Sequence, residues 1–292
     1  MRFGLVGTGS WATDTHAAGV VAAAGAELVG VWGRDPAKAA AVAERMAVTS
    51  HPDPASLFAD VDAVTFAVPP SVQAPLAAQA AEAGCHLLLE KPVALDVDAA
   101  EAVVDAVASA GVASTVFFTG RHTAPVEQWV QERQAEGGWT GATAVWVGAI
   151  FAEGNPFGVS PWRREHGALW DVGPHALSML LPVMGRVTDV TAATGPADTV
   201  HLVLRHGPHA SSTATLSLTV PESAAGLRLD VYGEHGWAAI PTDHGVEAVQ
   251  AHTSAVESLV AAAAGGPAHP CDVRFGAEVV RVLAAAQEQL DG

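Results

Sequence analysis

The segment Gly7-Thr8-Gly9-Ser10-Trp11-Ala12 follows at once on the apolar run Phe3-Gly4-Leu5-Val6 and leads into an Ala-rich stretch, a placement that constrains the chain more than any other feature. A strand turning sharply into a helix needs a residue without Cβ at the corner, which Gly7 supplies, and Gly9 lets the amides that open the helix approach a pyrophosphate. Ala12 stands in the place of a third glycine. Alone, the motif fits any tight strand-to-helix turn; at the first junction of an alternating pattern it reads as a dinucleotide site, with Thr8, Ser10 and Trp11 as further cofactor contacts.

Through residue 118, short β-branched runs alternate with Ala-rich stretches of helical length. The spacing predicts strands at 3–6, 28–32, 63–68, 86–89 and 113–118, with helices near 10–24, 36–46, 71–84 and 97–110 bounded by Gly, Pro or caps such as Asp35 and Ser71. This is the pattern of a doubly wound α/β domain with a parallel sheet. From about residue 140, alternating runs at 142–151, 187–194, 199–205, 211–220 and 227–233 predict an open, mostly antiparallel sheet. A helix after Pro174 and others near 252–264 and 273–289 complete an α+β region. The expected division is a Rossmann-type dinucleotide domain at 1–119 and a substrate-binding and oligomerisation domain at 120–292, its C-terminal helix packing back on the first domain.

A chain of 292 residues has room for two such cores. Half of the residues are hydrophobic and 15% are charged, so a homodimer or homotetramer that buries surface through the second sheet is expected. With 14 basic against 31 acidic residues, the net charge is −17 without a basic patch, which argues against nucleic acid as a partner. No apolar run reaches the roughly eighteen residues of a membrane span, and Met1-Arg2-Phe3-Gly4-Leu5-Val6 has no signal-peptide layout, so a cytoplasmic protein with no membrane partner is expected. Cys85 and Cys271 form neither a metal-ligand spacing nor a disulfide framework and read as inert. The 13 histidines include no HxH or HExxH, so no metal is expected and most are expected to be solvated.

The end of the second strand, Trp32-Gly33-Arg34-Asp35-Pro36, bears on which dinucleotide binds. An acidic side chain there accepts hydrogen bonds from the adenosine ribose of NAD, whereas an arginine pairs with a 2′-phosphate. Asp35 is better used as the N-cap of a helix with Pro36 at its first position, which leaves Arg34 for the phosphate and no carboxylate at position 33. NADP(H) is favoured, with NAD(H) as the alternative.

Beyond the glycine loop the chain carries Val68-Pro69-Pro70, Ala83-Gly84-Cys85-His86 leading to Glu90-Lys91-Pro92, Arg121 with Pro125, Pro161-Trp162-Arg163, and Gly167-Ala168-Leu169-Trp170-Asp171-Val172-Gly173-Pro174-His175. On these motifs it resembles, nearly end to end, the Gfo/Idh/MocA oxidoreductases, named for glucose-fructose oxidoreductase and inositol dehydrogenase. The resemblance implies cofactor contacts at Val68, Pro69, Glu90 and Lys91, with the Glu90-Lys91-Pro92 loop beside the nicotinamide, often with a cis peptide before the proline, and Lys91 reaching the reacting oxygen. A charged pair directly after Leu87-Leu88-Leu89 also suits the carboxyl end of a strand, where open α/β sheets bind ligands. The family places Asp171 and His175 at the substrate and brings Trp162 and Arg163 toward the cofactor or substrate. Arg121 and His122 follow the last expected strand near where a substrate would enter, which makes Arg121 a candidate substrate contact. Asp171 and His175, four residues apart, would share a helical face, although Pro174 favours a helix that begins after Asp171.

The implied chemistry is hydride transfer between a nicotinamide and a carbinol or carbonyl carbon of a small sugar, polyol or related compound. His175 would carry the proton, Lys91 would donate a hydrogen bond to the developing alkoxide, and Asp171 would orient the imidazole or hold a substrate hydroxyl. The alternatives are an enzyme that retains its nucleotide for epimerisation or hydrolysis through transient oxidation, and a nucleotide-sensing protein without catalysis. Two departures from the family pattern stand out: Gln73 where a histidine is usual, and a short stretch between Phe151 and Trp162, which favours small polyols over oligosaccharides.

Overall fold

Strands β1 (Arg2–Val6), β4 (Ala63–Phe66), β5 (His86–Glu90) and β6 (Ser114–Phe117) are buried along nearly their whole length, because a parallel sheet covered by helices has no solvent side. With β2 (Glu27–Trp32) and β3 (Thr49–Ser50) they form an all-parallel sheet in the order β3-β2-β1-β4-β5-β6. This order reverses direction beside β1, at the crevice where doubly wound sheets bind ligands. The computed structural model describes residues 1–155, 158, 160–242 and 247–292. The chain divides into two units, Met1–Thr123 with Val246–Val280, and Ala124–Gly245 with Arg281–Gly292.

In the first unit three helices begin at aspartate caps, while Ser71, expected as a cap, lies inside α4 (Pro70–Glu82) and caps nothing. Asp35 accepts from the amides of Ala37 and Lys38 at 3.0 and 3.2 Å to start α2 (Pro36–Met46), while Asp53 starts α3 (Pro54–Phe58) and Asp96 starts α5 (Val97–Ala110). Helix α4 opens on proline, and Gly111, at φ 66°, ends α5. The two-residue β3 and the five-residue α3 are too short to leave a periodic signal, and neither was expected. Helix α3 is held by Leu57, whose Cδ1 would lie 2.9 and 2.8 Å from a Cβ at Gly4 and Gly30, residues paired across β1 and β2.

After the glycine loop the chain winds as a π-helix over Ala12–Ala17 and continues as α1 (Ala18–Ala22). Helix α9 (Ala248–Ala263) packs on α1 and on β5 and β6, so Ala255, Val256 and Leu259 share a core with Phe3, Leu5, Leu88 and Phe117. Gly19 weakens a helix interior, yet a Cβ there would lie 2.4 Å from His252 Nδ1. The glycine is what lets this imidazole into the core.

The second unit is built on β7 (Trp139–Val147), β8 (Asp189–Thr194), β9 (Val200–His206), β10 (Ala210–Ser217), β11 (Gly226–Gly233) and β12 (Gly236–Ala239). Their order is β12-β11-β7-β10-β9-β8, antiparallel except for the parallel pair β7 and β10. Helices α7 (Pro161–Asp171) and α8 (Gly173–Met184) cover one face, and α6 (Ala124–Glu136) packs on α8. On β9, Val200, Leu202 and Leu204 are buried, while His201, Val203 and Arg205 are exposed. The last turns of α10 (Val273–Asp291) are tied in by a hydrogen bond from Trp170 Nε1 to Gln287 Oε1 at 3.1 Å. Among the described residues no helix is long and apolar enough to cross a membrane.

Alanine is the better helix former by about 1 kcal/mol, yet Gly19→Ala is expected to lower the melting temperature by roughly 3 °C or more because His252 must move. A rise in the calorimetric Tm of this variant would contradict the packing argument.

Candidate active site

Gly7 sits at φ +137° with its amide on Trp32 O at 3.0 Å, and a Cβ there would lie 2.5 Å from Ala67 O. Only glycine fits so tight a passage between the ends of β1 and β4. At Gly9 the reverse holds: nothing lies within 4 Å of where a Cβ would be, so the loop presents an open, exposed cradle between Thr8 and Ser10. Val68 and Pro69 follow β4 beside it, half-buried and exposed. A Cβ at Gly33 would come within 2.5 Å of the Thr8 methyl, which closes the end of β2 to a larger side chain and leaves Arg34 exposed next to it. This donor-lined, Cβ-free cradle fits a dinucleotide pyrophosphate.

Glu90 ends β5, and its carboxylate turns back toward the glycine-loop helix. Oε1 accepts from Trp11 Nε1 at 2.6 Å and lies 3.0 Å from His16 Nε2, while Oε2 accepts from the Lys91 amide at 3.1 Å. In an α-helix, residues five apart point about 140° away from each other. The π-winding over Ala12–Ala17 closes turns of five residues, which brings Trp11 and His16 onto the same oxygen. Burial pushes the Glu90 carboxyl up, but His16, the Lys91 ammonium and the Trp11 indole outweigh it and hold the group below its ordinary range.

The backbone of the same loop is clasped from the other side by Gln73, fully buried in α4. Its Nε2 donates to the carbonyls of Glu90, Pro92 and Val93 at 2.8, 3.2 and 3.2 Å, and its Oε1 accepts from the Glu90 amide at 2.8 Å. The Lys91–Pro92 bond is cis. An amide can donate and accept at once, so the departure from histidine at position 73 leaves the loop anchored.

In the second unit, Gly167 at φ 62° kinks α7, which ends at Asp171, and α8 begins at Gly173 with Pro174 in its first turn. Asp171 and His175 therefore lie on either side of a helix break. Asp171, 4% exposed, pairs with Arg163 Nε through Oδ2 at 2.9 Å, and Trp162 meets the His166 ring at 5.6 Å. His175 is half-buried on an otherwise buried stretch, and its ring stacks on Trp146 at 5.2 Å and 23°. Arg121 lies in the interior of the first unit, 1% exposed, its guanidinium 6.0 Å over the Phe275 ring. The short stretch before Trp162 falls partly outside the described residues.

The expectation of solvated histidines is corrected: His16, His122, His206 and His252 are buried, and among the described histidines only His201, His209 and His235 are exposed. The signal was helical spacing, since His16 lies four residues from both Ala12 and Val20, and His252 four from Val256, on the buried stripes of their helices. Trp146, which no motif singles out in the sequence, stands beside His175. Cys85 is buried, its thiol pushed up to about 11 by burial and by Asp62.

His122 is held down at about 3 by burial and by its neighbour His269, and His252 well below its ordinary value by burial and by His16 and His122. Both are neutral in the fold, whereas an unfolded imidazole takes up a proton below about pH 6.5. Stability is therefore full above that pH and falls on acidification, by up to about 1.4 kcal/mol per pH unit for each histidine, until the folded groups protonate. Calorimetry is expected to give a flat Tm from pH 8 to 7 and a decline from pH 6.5 to 5; a Tm that rises over the acid range would contradict this.

Residues 1–118 match the Gfo/Idh/MocA oxidoreductase family, NAD-binding Rossmann fold, and residues 143–239 match the Gfo/Idh/MocA C-terminal domain. UDP-N-acetylglucosamine 3-dehydrogenase of Acidithiobacillus ferrooxidans is 30% identical over 237 residues, 78% of this chain and 71% of that one. D-xylose 1-dehydrogenase (NADP(+)) 2 of Haloferax volcanii is 28% identical over 236 residues, 76% and 71% of the two chains. A shorter match, 35% identical over 108 residues, spans 36% of this chain and only 32% of an oxidoreductase of Rhizobium meliloti. Levoglucosan dehydrogenase, solved with NADH and levoglucosan, shares the fold with a TM-score of 0.82 at 19% identity, over 100% of this chain and 97% of that one. The chain belongs to the Gfo/Idh/MocA family of NAD(P)-dependent oxidoreductases.

Proposed function

We propose that this enzyme is an NADP(H)-preferring dehydrogenase or reductase of a small sugar or polyol, acting between a carbinol and a carbonyl carbon. The observation that carries this reading is the doubly anchored Glu90-Lys91 loop at the carboxyl edge of the sheet that also presents the open cradle at Gly9. The names of the relatives, dehydrogenases of a nucleotide sugar, of D-xylose and of levoglucosan, support the substrate class.

Bound at Gly7, Thr8, Gly9, Ser10, Val68 and Pro69, the nicotinamide dinucleotide would supply the hydride acceptor or donor. The Lys91 ammonium holds the reacting oxygen by a hydrogen bond, and His175 takes or returns its proton. Stacking on Trp146 limits how the His175 imidazole can turn, and Arg163 holds the carboxylate of Asp171 in place. NADP(H) is preferred because Asp35 is committed as a helix cap, Thr8 closes position 33 to an acid, and exposed Arg34 is left for a 2′-phosphate. The uncovered face of the second sheet carries Val203 and the Tyr232–Trp237 pair, 47%, 36% and 73% exposed, and we assign homo-oligomerisation to it. Neither cysteine is in a disulfide, which suits a cytoplasmic enzyme.

Fluorescence titration of wild type and Arg34→Ala with NADPH and NADH is expected to show tighter NADPH binding that drops by a factor of about ten or more in the variant, while NADH binding holds. An unchanged ratio of affinities would overturn the phosphate assignment. In assays with NADP+ and D-xylose, myo-inositol or levoglucosan, Lys91→Ala and His175→Ala are each expected to lose roughly a hundred-fold or more in kcat. Near-normal turnover in both variants would remove these residues from the chemistry.

A further inference from the structure

Beneath the Lys91 loop runs a line of polar groups that hydride transfer itself does not use. His16, Thr65 and His252 are all fully buried. Thr65 Oγ1 lies 2.7 Å from His16 Nδ1 and 3.3 Å from His252 Nε2, and His16 Nε2 lies 3.0 Å from Glu90 Oε1. The polarity of this line follows from its two ends. An ionised carboxylate only accepts, so His16 Nε2 carries a proton, and where its Nδ1 is bare that atom accepts from the Thr65 hydroxyl. The Thr65 oxygen then accepts from His252 Nε2–H, which leaves His252 Nδ1 as a bare nitrogen, and that atom is buried without a hydrogen-bond partner. The opposite polarity would aim the Thr65 hydroxyl at His252 Nε2 and strand a buried N–H at its Nδ1, leave His16 Nε2 bare against the carboxylate unless the ring is charged, and so cost more. Every donor in the line points toward Glu90, and such chains strengthen one another.

We propose that His16 is a positioning residue for Lys91, acting through Glu90: the His16 Nε2–H fixes one carboxylate oxygen, and the other fixes the Lys91 amide. The inference rests on the reading of Lys91 as the group that holds the reacting oxygen. Trp11 Nε1 donates to the same oxygen as His16, so the helix that opens the cofactor cradle and the loop that carries the ammonium share one anchor.

Two substitutions separate positioning from bulk. The amide nitrogen of glutamine can take the place of Nε2 and still donate to Glu90, whereas that of asparagine reaches only the Nδ1 position beside Thr65. With whichever of D-xylose, myo-inositol and levoglucosan is turned over, His16→Gln is expected to keep a kcat at least about ten-fold above His16→Asn, with KM for NADP+ alike in both. Equal kcat in the two variants would overturn the proposal. Long-range 15N–1H spectra of the imidazoles in the full-length wild type are expected to show a proton on Nε2 of both His16 and His252; a bare His16 Nε2 would overturn the proposal without any substrate. If none of the three compounds reacts, the substrate reading fails and the spectra still decide the relay. Should His16→Asn not fold, Thr65→Val, which keeps the volume and removes the hydroxyl, is expected to lower kcat while NADP+ affinity holds; unchanged kcat would count against the relay.

Discussion

A carboxylate largely withdrawn from water needs donors around it, and the need of Glu90 for them organises the first unit. Charge-assisted hydrogen bonds are about twice as strong as neutral ones, and Glu90 draws them from Trp11 and His16 on one helix and from the Lys91 amide on its own loop. The first helical turns must wind as a π-helix to deliver Trp11 and His16 to one oxygen. His16 must in turn be buried, Thr65 must stand beneath it, and Gly19 must make room for His252. One carboxylate thus links the cofactor cradle, the lysine loop and the helix α9 that comes from far along the chain.

The second unit solves a different problem, that of holding a carboxylate and an imidazole near a helix break. The left-handed Gly167 and the Gly173-Pro174 pair interrupt the winding, so Asp171 and His175 are not set by a common helical register. Arg163 positions the first and Trp146 the second, each from within the same unit. Stacking on an aromatic face limits how the His175 imidazole can turn, which suits the role proposed for it.

Much of this was legible in the sequence wherever a local rule decided the outcome. The parallel sheet followed from unbroken apolar runs, the helix starts from Asp35 and Asp96, and the cradle from Gly7 and Gly9 at the first βα junction. What escaped depended on tertiary partners. Gln73 looked like a lost histidine because its four backbone bonds go to a loop 17 to 20 residues on, beyond the reach of any local spacing rule. His16 and His252 read as solvated by their polarity, yet both stand on buried helical stripes. Trp146 carried no signal at all, because nothing in an alternating strand tells which ring will stack on it. The two-residue β3 and the short α3 carry too few residues for any period to show.

Glu90 thus fastens the cradle helix and the lysine loop into one assembly. Amide hydrogen exchange of wild type and Glu90→Gln, followed at residues 11–17 and 90–94, tests it most directly, because the amide lacks the charge and one acceptor while keeping the shape. Both segments are expected to lose protection together while β1 and β4 keep theirs. Unchanged protection, or loss in one segment alone, would contradict it.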